Sequence, residues 1–380
     1  MKVILVGSHP IVCGAAFSML KLIEELEKIG INVVPVTCDG FVDSELKKIN
    51  KTNYVVNSWS WVVSNRFSSK KIFAVKFIKK ILNIPAYLKF IKIIKYENPD
   101  IIHVNALTDY VAVKAAIKCK KPIVWHIREM IEEDLNSHFW NKKKSFSLMQ
   151  KANHFIAISK CVENKYKEIV GSKKISCVYN GIDTDKFFSP HHAILNDENI
   201  VITMAGRINQ YKGQYQCLEE LAPLLKENPN VILQFAGVGG EDELQKIQKL
   251  RSSAGLSEDQ VRLLGLVNDM PELWKNTDIA IVYSKYEAFG RVTIEAKMAG
   301  VLVVGFNSGG TIELIENGKD GFLFGNGLSS LYGVVEDVLS NKNNARQIAV
   351  KGRETAMDKF TSKHNAEQIV KIYKKVIRNI

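Results

Sequence analysis

No stretch of this 380-residue chain approaches the roughly 20 apolar residues in a row that a membrane-spanning helix needs. Its start, MKVILVGSHP, is too short and too quickly interrupted for a signal peptide and reads as a buried strand. Cysteine is sparse. The six residues Cys13, Cys38, Cys119, Cys161, Cys177 and Cys217 include no close pair, which argues against a zinc site or a disulfide framework and fits a reducing cytoplasm. The turn after the first apolar run, GSHPIVCGAA, is not GxGxxG, and AGVGGE lacks the Lys and Ser or Thr of a P-loop. Acidic residues are missing from one whole segment. From Leu46 to Tyr96 there is no Asp or Glu but there are twelve Lys and Arg, as many as the net charge of +12 carried by the entire chain. A negatively charged partner is implied, whether a membrane surface, a nucleic acid or an anionic substrate. No recognition helix, zinc finger or aromatic-basic stacking pattern supports nucleic acid.

What the chain does have is length for two cores, with 46% hydrophobic and 24% charged residues. Two series of short apolar runs alternate with helix-length segments. The first is KVILVG, NVVPVTC, DIIHVN, PIVWHI, HFIAIS and ISCVYN; the second is NIVITMAG, NVILQFAGVG, QVRLLGLV, IAIVYS, VLVVGF and GFLF. Unbroken β-branched runs point to strands buried on both faces, and their alternation with helices to parallel sheets. The expected fold class is α/β: two Rossmann-like domains facing each other across a cleft, residues 1–185 and 186–362. The turn-rich stretch 180–199 makes the boundary. A last helix, 363–380, carries an apolar stripe through Ile369, Ile372 and Val376 that would dock on the first domain.

In open parallel sheets ligands sit beyond the carboxyl ends of the strands. After VITMAG come Arg207 and Lys212, two cations suited to a diphosphate, although a solvated basic face would look the same. After IAIVYS the stretch YSKYEAFGRVTIEAKMAG sets Glu287 and Glu295 eight residues apart, with Gly290 at a loop-to-helix junction. The N–H groups from Phe289 through Arg291 to Val292 would face an anion there, and Glu295 could reach a ribose diol. The plain alternative has Glu287 capping the helix and Glu295 in an exposed pair with Arg291. Gly309 and Gly310 suggest a tight turn or amides offered to a ligand. In the first half Gly14 opens a helix, and His103, His126, Arg128 and Glu129 follow strands; His126 is the functional candidate and His103 the structural one. The DTD at 183–185 reads as turn chemistry rather than a metal pair.

Taken together, NPDIIHVN, FIAIS, VYNGID, GRINQYKG, SKYEAFGRVTIEAKMAG and GGTIELIENGKDGFLF resemble the retaining glycosyltransferases of family 4, with the GT-B fold, over nearly the whole chain. The resemblance implies transfer of a hexosyl or N-acetylhexosaminyl group from a nucleotide diphospho-sugar to an acceptor, with retention and without a metal or other cofactor. It implies that Arg207 and Lys212 hold the donor diphosphate and that Glu287 lies near the donor sugar. Glu295 would bind the ribose, the amides of Phe289 and Gly290 complete the phosphate cradle, and His126 stand near the reacting sugar. Gly14, Arg291, Gly309 and Gly310 join the donor side, and Arg128 and Glu129 the acceptor side. Three positions depart from the pattern: Ala288 for a usual glycine, Lys297 for a small or apolar residue and Leu302 for a common proline. The rival readings are a donor-binding but non-catalytic partner subunit, a GT-B epimerase or phosphorylase, and a nucleic-acid-binding protein.

The basic segment, residues 70–96, reads as two helices divided by Pro85, with Ile72, Val75, Ile78, Ile81 and Leu82 at helical spacing among lysines. These apolar residues would either join the core or, with the lysines, rest on anionic lipid. The second reading suits a lipid-linked saccharide acceptor in cell-surface polysaccharide assembly and a peripheral place at the inner face of the membrane.

Overall fold

Runs of Val, Ile and Leu become two parallel sheets. The computed structural model describes residues 1–65, 69–133, 135–189, 194–196 and 198–379, with only the backbone of 69–74. The chain divides into two units, Met1–Gly181 with Ser362–Ile380, and Ile182–Thr361. The sequence boundaries were expected at 185/186 and 362/363. The crossings fall earlier because Ile182 pairs with Thr361 and its N–H donates to the Phe360 carbonyl at 2.8 Å, which binds both crossing segments to the second unit.

The first unit holds β1 (Lys2–Gly7), β2 (Asn32–Thr37), β3 (Tyr54–Val55), β4 (Val62–Ser64), β5 (Ile101–Val104), β6 (Ile123–Ile127), β7 (Ser137–Phe139), β8 (His154–Ala157) and β9 (Ile175–Cys177). Seven of these form a parallel sheet in the order β3-β2-β1-β5-β6-β8-β9, while β4 and β7 pair antiparallel. The central strands β5, β6 and β8 are buried along their whole length, as runs without alternation require. The helix Ser362–Arg378 completes this unit. Its Ile369, Val370, Ile372, Tyr373 and Val376 share one cluster with Met19, Leu22, Ile23 and Leu26 of the helix Gly14–Lys28.

The second unit holds β10 (Ile200–Ala205), β11 (Val231–Ala236), β12 (Val261–Gly265), β13 (Ile279–Val282), β14 (Leu302–Phe306) and β15 (Phe322–Phe324), in the order β12-β11-β10-β13-β14-β15. All pairs are parallel, so the loops after β10, β13 and β14 emerge side by side at one edge of the sheet. Among the described residues no helix is long and apolar enough to cross a membrane.

The basic segment departs from expectation. It is one helix, Ser69–Glu97, running through Pro85. An internal proline costs about 3 kcal/mol, but burying Phe90, Ile93 and Ile94 returns about 1.5–3 kcal/mol each, so the helix continues. The buried side is Asn83, Ala86, Phe90, Ile93 and Ile94. Of the two places open to the apolar stripe, core or surface, these residues take the surface: Ile78 is 54% exposed, Ile81 51% and Leu82 45%. Val75 is half-buried, and the side chain of Ile72 lies outside the described residues.

Candidate functional site

In the second unit the candidate residues converge from three loops. After β10 the chain turns at Gly206 (φ 141°), which Gly237 touches so closely that a Cβ on Gly237 would lie 2.0 Å from the Gly206 carbonyl oxygen. Gln214 donates to the Arg207 carbonyl at 3.0 Å, and Asn209 Oδ1 accepts from the backbone N–H of Tyr211 and Lys212 at 2.9 and 3.1 Å. This folded loop leaves the Arg207 side chain exposed and sends Lys212 across to the next strand's loop. There Lys212 Nζ meets Glu287 Oε2 at 2.6 Å.

After β13 the loop reaches Glu287 and then Gly290, whose φ of 92° is a left-handed conformation that favours glycine. A Cβ there would sit 3.1 Å from Thr293 Oγ1 and 3.3 Å from Glu287 Cγ. Gly290 is the N-cap of the helix Arg291–Met298 and has no side chain to satisfy its first amides, so the helix end offers positive potential to an anion. Glu295, 7% exposed, pairs with Arg291 at 3.1 Å. The pair anticipated as exposed is therefore mostly buried. Phe289 is buried, with its ring against Phe360.

After β14 the glycine pair packs on the backbone of Glu287. The Gly310 N–H donates to the Glu287 carbonyl at 2.7 Å, and a Cβ on Gly309 (φ 57°) would lie 2.9 Å from the same oxygen. The Gly310 amide thus holds the Glu287 loop in place and is not offered outward. Ser308 Oγ donates to the Lys285 carbonyl at 2.5 Å and ties the two loops a second time.

Lys297 is a residue whose role sequence reasoning missed. Its side chain is fully buried, with Nζ 2.8 Å from Asp320 Oδ1 and 2.6 Å from the Leu314 carbonyl. Burial lowers its pKa, against the opposing pull of Asp320. The pair links the helix that carries Glu295 to the segment following the glycine turn. The 23-residue separation of Lys297 and Asp320 gives no signal in the sequence.

The first unit gathers a separate polar cluster at the ends of β1, β5 and β6. His126 was expected at the strand end near the reacting sugar, but it is fully buried, because β6 is covered on both faces. Its Nδ1 lies 3.2 Å from His103 Nε2 and 3.4 Å from Arg128 Nη2. Arginine only donates, so His126 Nδ1 accepts and its proton is on Nε2. His103 Nε2 then donates to His126, and Tyr373 of the C-terminal helix donates to His103 Nδ1 at 2.5 Å. Burial, then the Arg128 charge, pushes His103 down to about 3 and His126 well below the usual imidazole value, so both rings are neutral. His103 is structural in this arrangement. His126 Nε2 has no partner among the described residues.

Arg128 is 8% exposed and fixed by Asn105 Oδ1 at 2.9 Å and Asn180 Oδ1 at 2.6 Å. Glu129 keeps some exposed surface, yet its carboxylate lies deep, accepting from the N–H of Leu107 at 3.0 Å and of Arg128 at 3.1 Å. Burial, reinforced by Asp109, raises its pKa to about 7. Gly14, exposed, is the first residue of its helix. His9, unnoticed in the sequence, stands after β1 with Nε2 3.0 Å from Asn105 Nδ2, its pKa lowered to about 4 by burial and then Arg128. The only sequence signal for it was its place directly after an apolar run.

A family model for glycosyl transferases group 1 matches residues 185–355, and one for glycosyltransferase family 4 matches residues 12–186. The chain belongs to this glycosyltransferase family. An uncharacterised glycosyltransferase of Methanocaldococcus jannaschii is 26% identical over 387 residues, covering 96% of this chain and 95% of that one. The capsular polysaccharide biosynthesis glycosyltransferase CapM of Staphylococcus aureus is 25% identical over 313 residues, 77% of this chain and 80% of CapM. A match at 27% identity over 183 residues, 46% of this chain, spans 48% of the length of the spore coat protein SA of Bacillus subtilis. Among solved structures, the Anabaena protein HepE in complex with UDP-glucose superposes with a TM-score of 0.78 at 22% identity, covering 99% of this chain and all of that one. The fold is GT-B, with two Rossmann-like units.

Proposed function

We propose that this glycosyltransferase moves a hexosyl or N-acetylhexosaminyl group from a nucleotide diphospho-sugar, with retention, to a lipid-linked saccharide in cell-surface polysaccharide assembly. One observation carries the donor side: the loops after the adjacent strands β10, β13 and β14 bring Lys212 against Glu287 and pack Gly309–Gly310 beneath it, with Arg207 exposed nearby in sequence and Glu295 one and a half turns into the following helix. Two cations and a helix end at one sheet edge suit a diphosphate leaving group, whose negative charge grows as the glycosidic bond breaks. Arg207 and Lys212 supply the compensating charge, so the reading calls for no metal. Glu295 takes the ribose hydroxyls and Glu287 the donor sugar. In the transfer step the acceptor oxygen bonds the anomeric carbon as the carbon–oxygen bond to the β-phosphate breaks, and the acceptor's proton passes to the departing phosphate.

His126, buried, acts in this reading by positioning Arg128 rather than by touching the sugar. Arg128 and Glu129 stand on the acceptor side. HepE was solved with UDP-glucose, and CapM is named for capsular polysaccharide biosynthesis; these support a UDP-hexose first in any donor panel and a polysaccharide product. The exposed apolar residues of the helix Ser69–Glu97 among its lysines support work at the inner face of the membrane, the donor side of the bilayer. Retention is tested by proton NMR of the sugar first released when the protein hydrolyses an α-linked donor slowly in the absence of acceptor. The α anomer is expected as first product; the β anomer would reject a retaining mechanism.

A further inference from the structure

A groove of about 840 Å³ opens in the first unit along the helices Ser69–Glu97, Tyr110–Lys118 and Lys142–Met149. Its inner lining is aromatic: Trp61 and Tyr110 are buried and stacked at 4.8 Å, with Tyr87 and Trp140 half-buried beside them. Its other marked feature is six lysines, Lys76, Lys80, Lys114, Lys118, Lys144 and Lys151, with no Asp or Glu in the lining. Lys76 donates to the Trp140 carbonyl at 3.0 Å. Among the described residues no carboxylate pairs with the other five. Lys114 shows the consequence: its pKa is lowered, first by burial and then by the charges of Lys80 and Lys144. Unrelieved like charge around an aromatic pocket is destabilising on its own and is relieved by a compact anion.

The neighbouring surface chooses among anions. The helix Ser69–Glu97 exposes Phe77, Ile78, Ile81, Leu82, Ile84 and Leu88, each 45–62%. Ile84 belongs to this apolar row and also lines the groove, so the row and the lysines are continuous. An apolar row adds nothing to the binding of a nucleic-acid backbone or a free phosphate, but it suits hydrocarbon.

We propose that this groove binds a membrane lipid by a terminal phosphate or diphosphate headgroup, the lysines holding the phosphate and the exposed row of the helix meeting the hydrocarbon. The groove belongs to the first unit, the donor-binding loops to the second, and for its purpose the site rests on the reading of a lipid-linked acceptor. Its test does not use the donor, so failure here and failure of that reading are separable.

The test is vesicle flotation with phosphatidylcholine vesicles carrying either phosphatidate, which ends in a phosphate monoester, or phosphatidylglycerol at matched surface potential. The wild-type protein is expected to prefer phosphatidate. In the triple variant Lys80→Gln, Lys114→Gln, Lys144→Gln, partitioning to phosphatidate vesicles is expected to fall about a hundredfold, from three lysines near the headgroups. Thermal unfolding of the variant checks its fold, and the wild-type preference between the two lipids stands without any variant. Equal binding to both lipids, or a folded triple variant that binds like wild type, overturns the proposal. So does inorganic pyrophosphate raising the unfolding midpoint without any lipid preference, which assigns the groove to a soluble phosphate. Displacement of the protein from phosphatidate vesicles by duplex RNA at equal phosphate would assign it to nucleic acid and overturn it as well.

Discussion

Glu287→Gln and Lys212→Ala should move diphosphate binding in opposite directions. Lys212 Nζ lies 2.6 Å from Glu287 Oε2, with the two side chains 36% and 15% exposed. A partly exposed pair of this kind is worth about 0.2–1 kcal/mol. A diphosphate that takes the Lys212 ammonium must compete with Glu287 for it. Glu287→Gln removes the competitor, so a nucleoside diphosphate should bind up to about fivefold tighter. Lys212→Ala removes a charge-assisted hydrogen bond of about 1.5–3 kcal/mol. After subtracting the ion pair that no longer has to break, the net loss is about 0.5–2.8 kcal/mol, or roughly 2- to 100-fold weaker binding. Turnover should fall in both variants, because Glu287 is assigned to the donor sugar. Isothermal titration with the free diphosphate, beside steady-state kinetics, reads both effects. If both variants weaken the diphosphate equally, or neither changes it, Lys212 and Glu287 are a structural pair and the donor site lies elsewhere.

Two further outcomes follow from buried charge. Lys297→Met leaves Asp320 without its cation and should destabilise the second unit by about 3–5 kcal/mol, lowering its unfolding midpoint by roughly 6–20 °C. The double variant Lys297→Met, Asp320→Asn should recover most of that loss; a double variant no better than the single would show that the pair is not the cause. Glu129 has a folded pKa of about 7, above its unfolded value. The folded state therefore holds a proton that the unfolded chain releases near pH 4.5, and this contribution is greatest below that pH and declines until about pH 7. The buried neutral His9, His103 and His126 make stability rise with pH in this range, so the Glu129 contribution is read as a difference. The wild-type minus Glu129→Gln unfolding free energy, from denaturant unfolding between pH 5 and 7.5, should fall with rising pH, and a constant difference would refute the assignment.

Much of the fold is legible because its strands are of one kind. All twelve apolar runs are strands of the two parallel sheets, and the central strands β5, β6 and β8, buried on both faces, need an unbroken run and leave that signature most plainly. Tyr54–Val55, two residues at a sheet edge, left no such mark, and neither did Val62–Ser64 and Ser137–Phe139, which pair antiparallel as a two-stranded ribbon outside both parallel sheets. Periodicity revealed the apolar stripe of the basic helix but not whether anything covers it; Ile78 and Ile81 turned out exposed. Pro85 was read as a divider because a local penalty is visible in sequence while the burial that outweighs it is not. The same limit applies to side-chain direction. His126 ends an apolar run and looked outward, yet its orientation is decided by His103, Arg128 and, through His103, a tyrosine at residue 373. The spacing of Glu287 and Glu295 was plain, whereas the Lys297–Asp320 tie that steadies the Glu295 helix depends on a partner only the fold brings near.

The central claim is that the second unit holds a nucleotide diphospho-sugar between Lys212, Glu287 and Glu295. It is tested most directly by thermal unfolding against a panel of nucleotide sugars and their free diphosphates, with wild type and Glu295→Gln side by side. A ligand at 100 times its dissociation constant stabilises the folded state by about 2.7 kcal/mol, a shift of roughly 5–10 °C for a unit of this size. The account predicts that one nucleotide family, with UDP-sugars first to be tried, produces such a shift in wild type and a clearly smaller one in Glu295→Gln. No shift from any member of the panel, or an equal shift in both proteins, would contradict it.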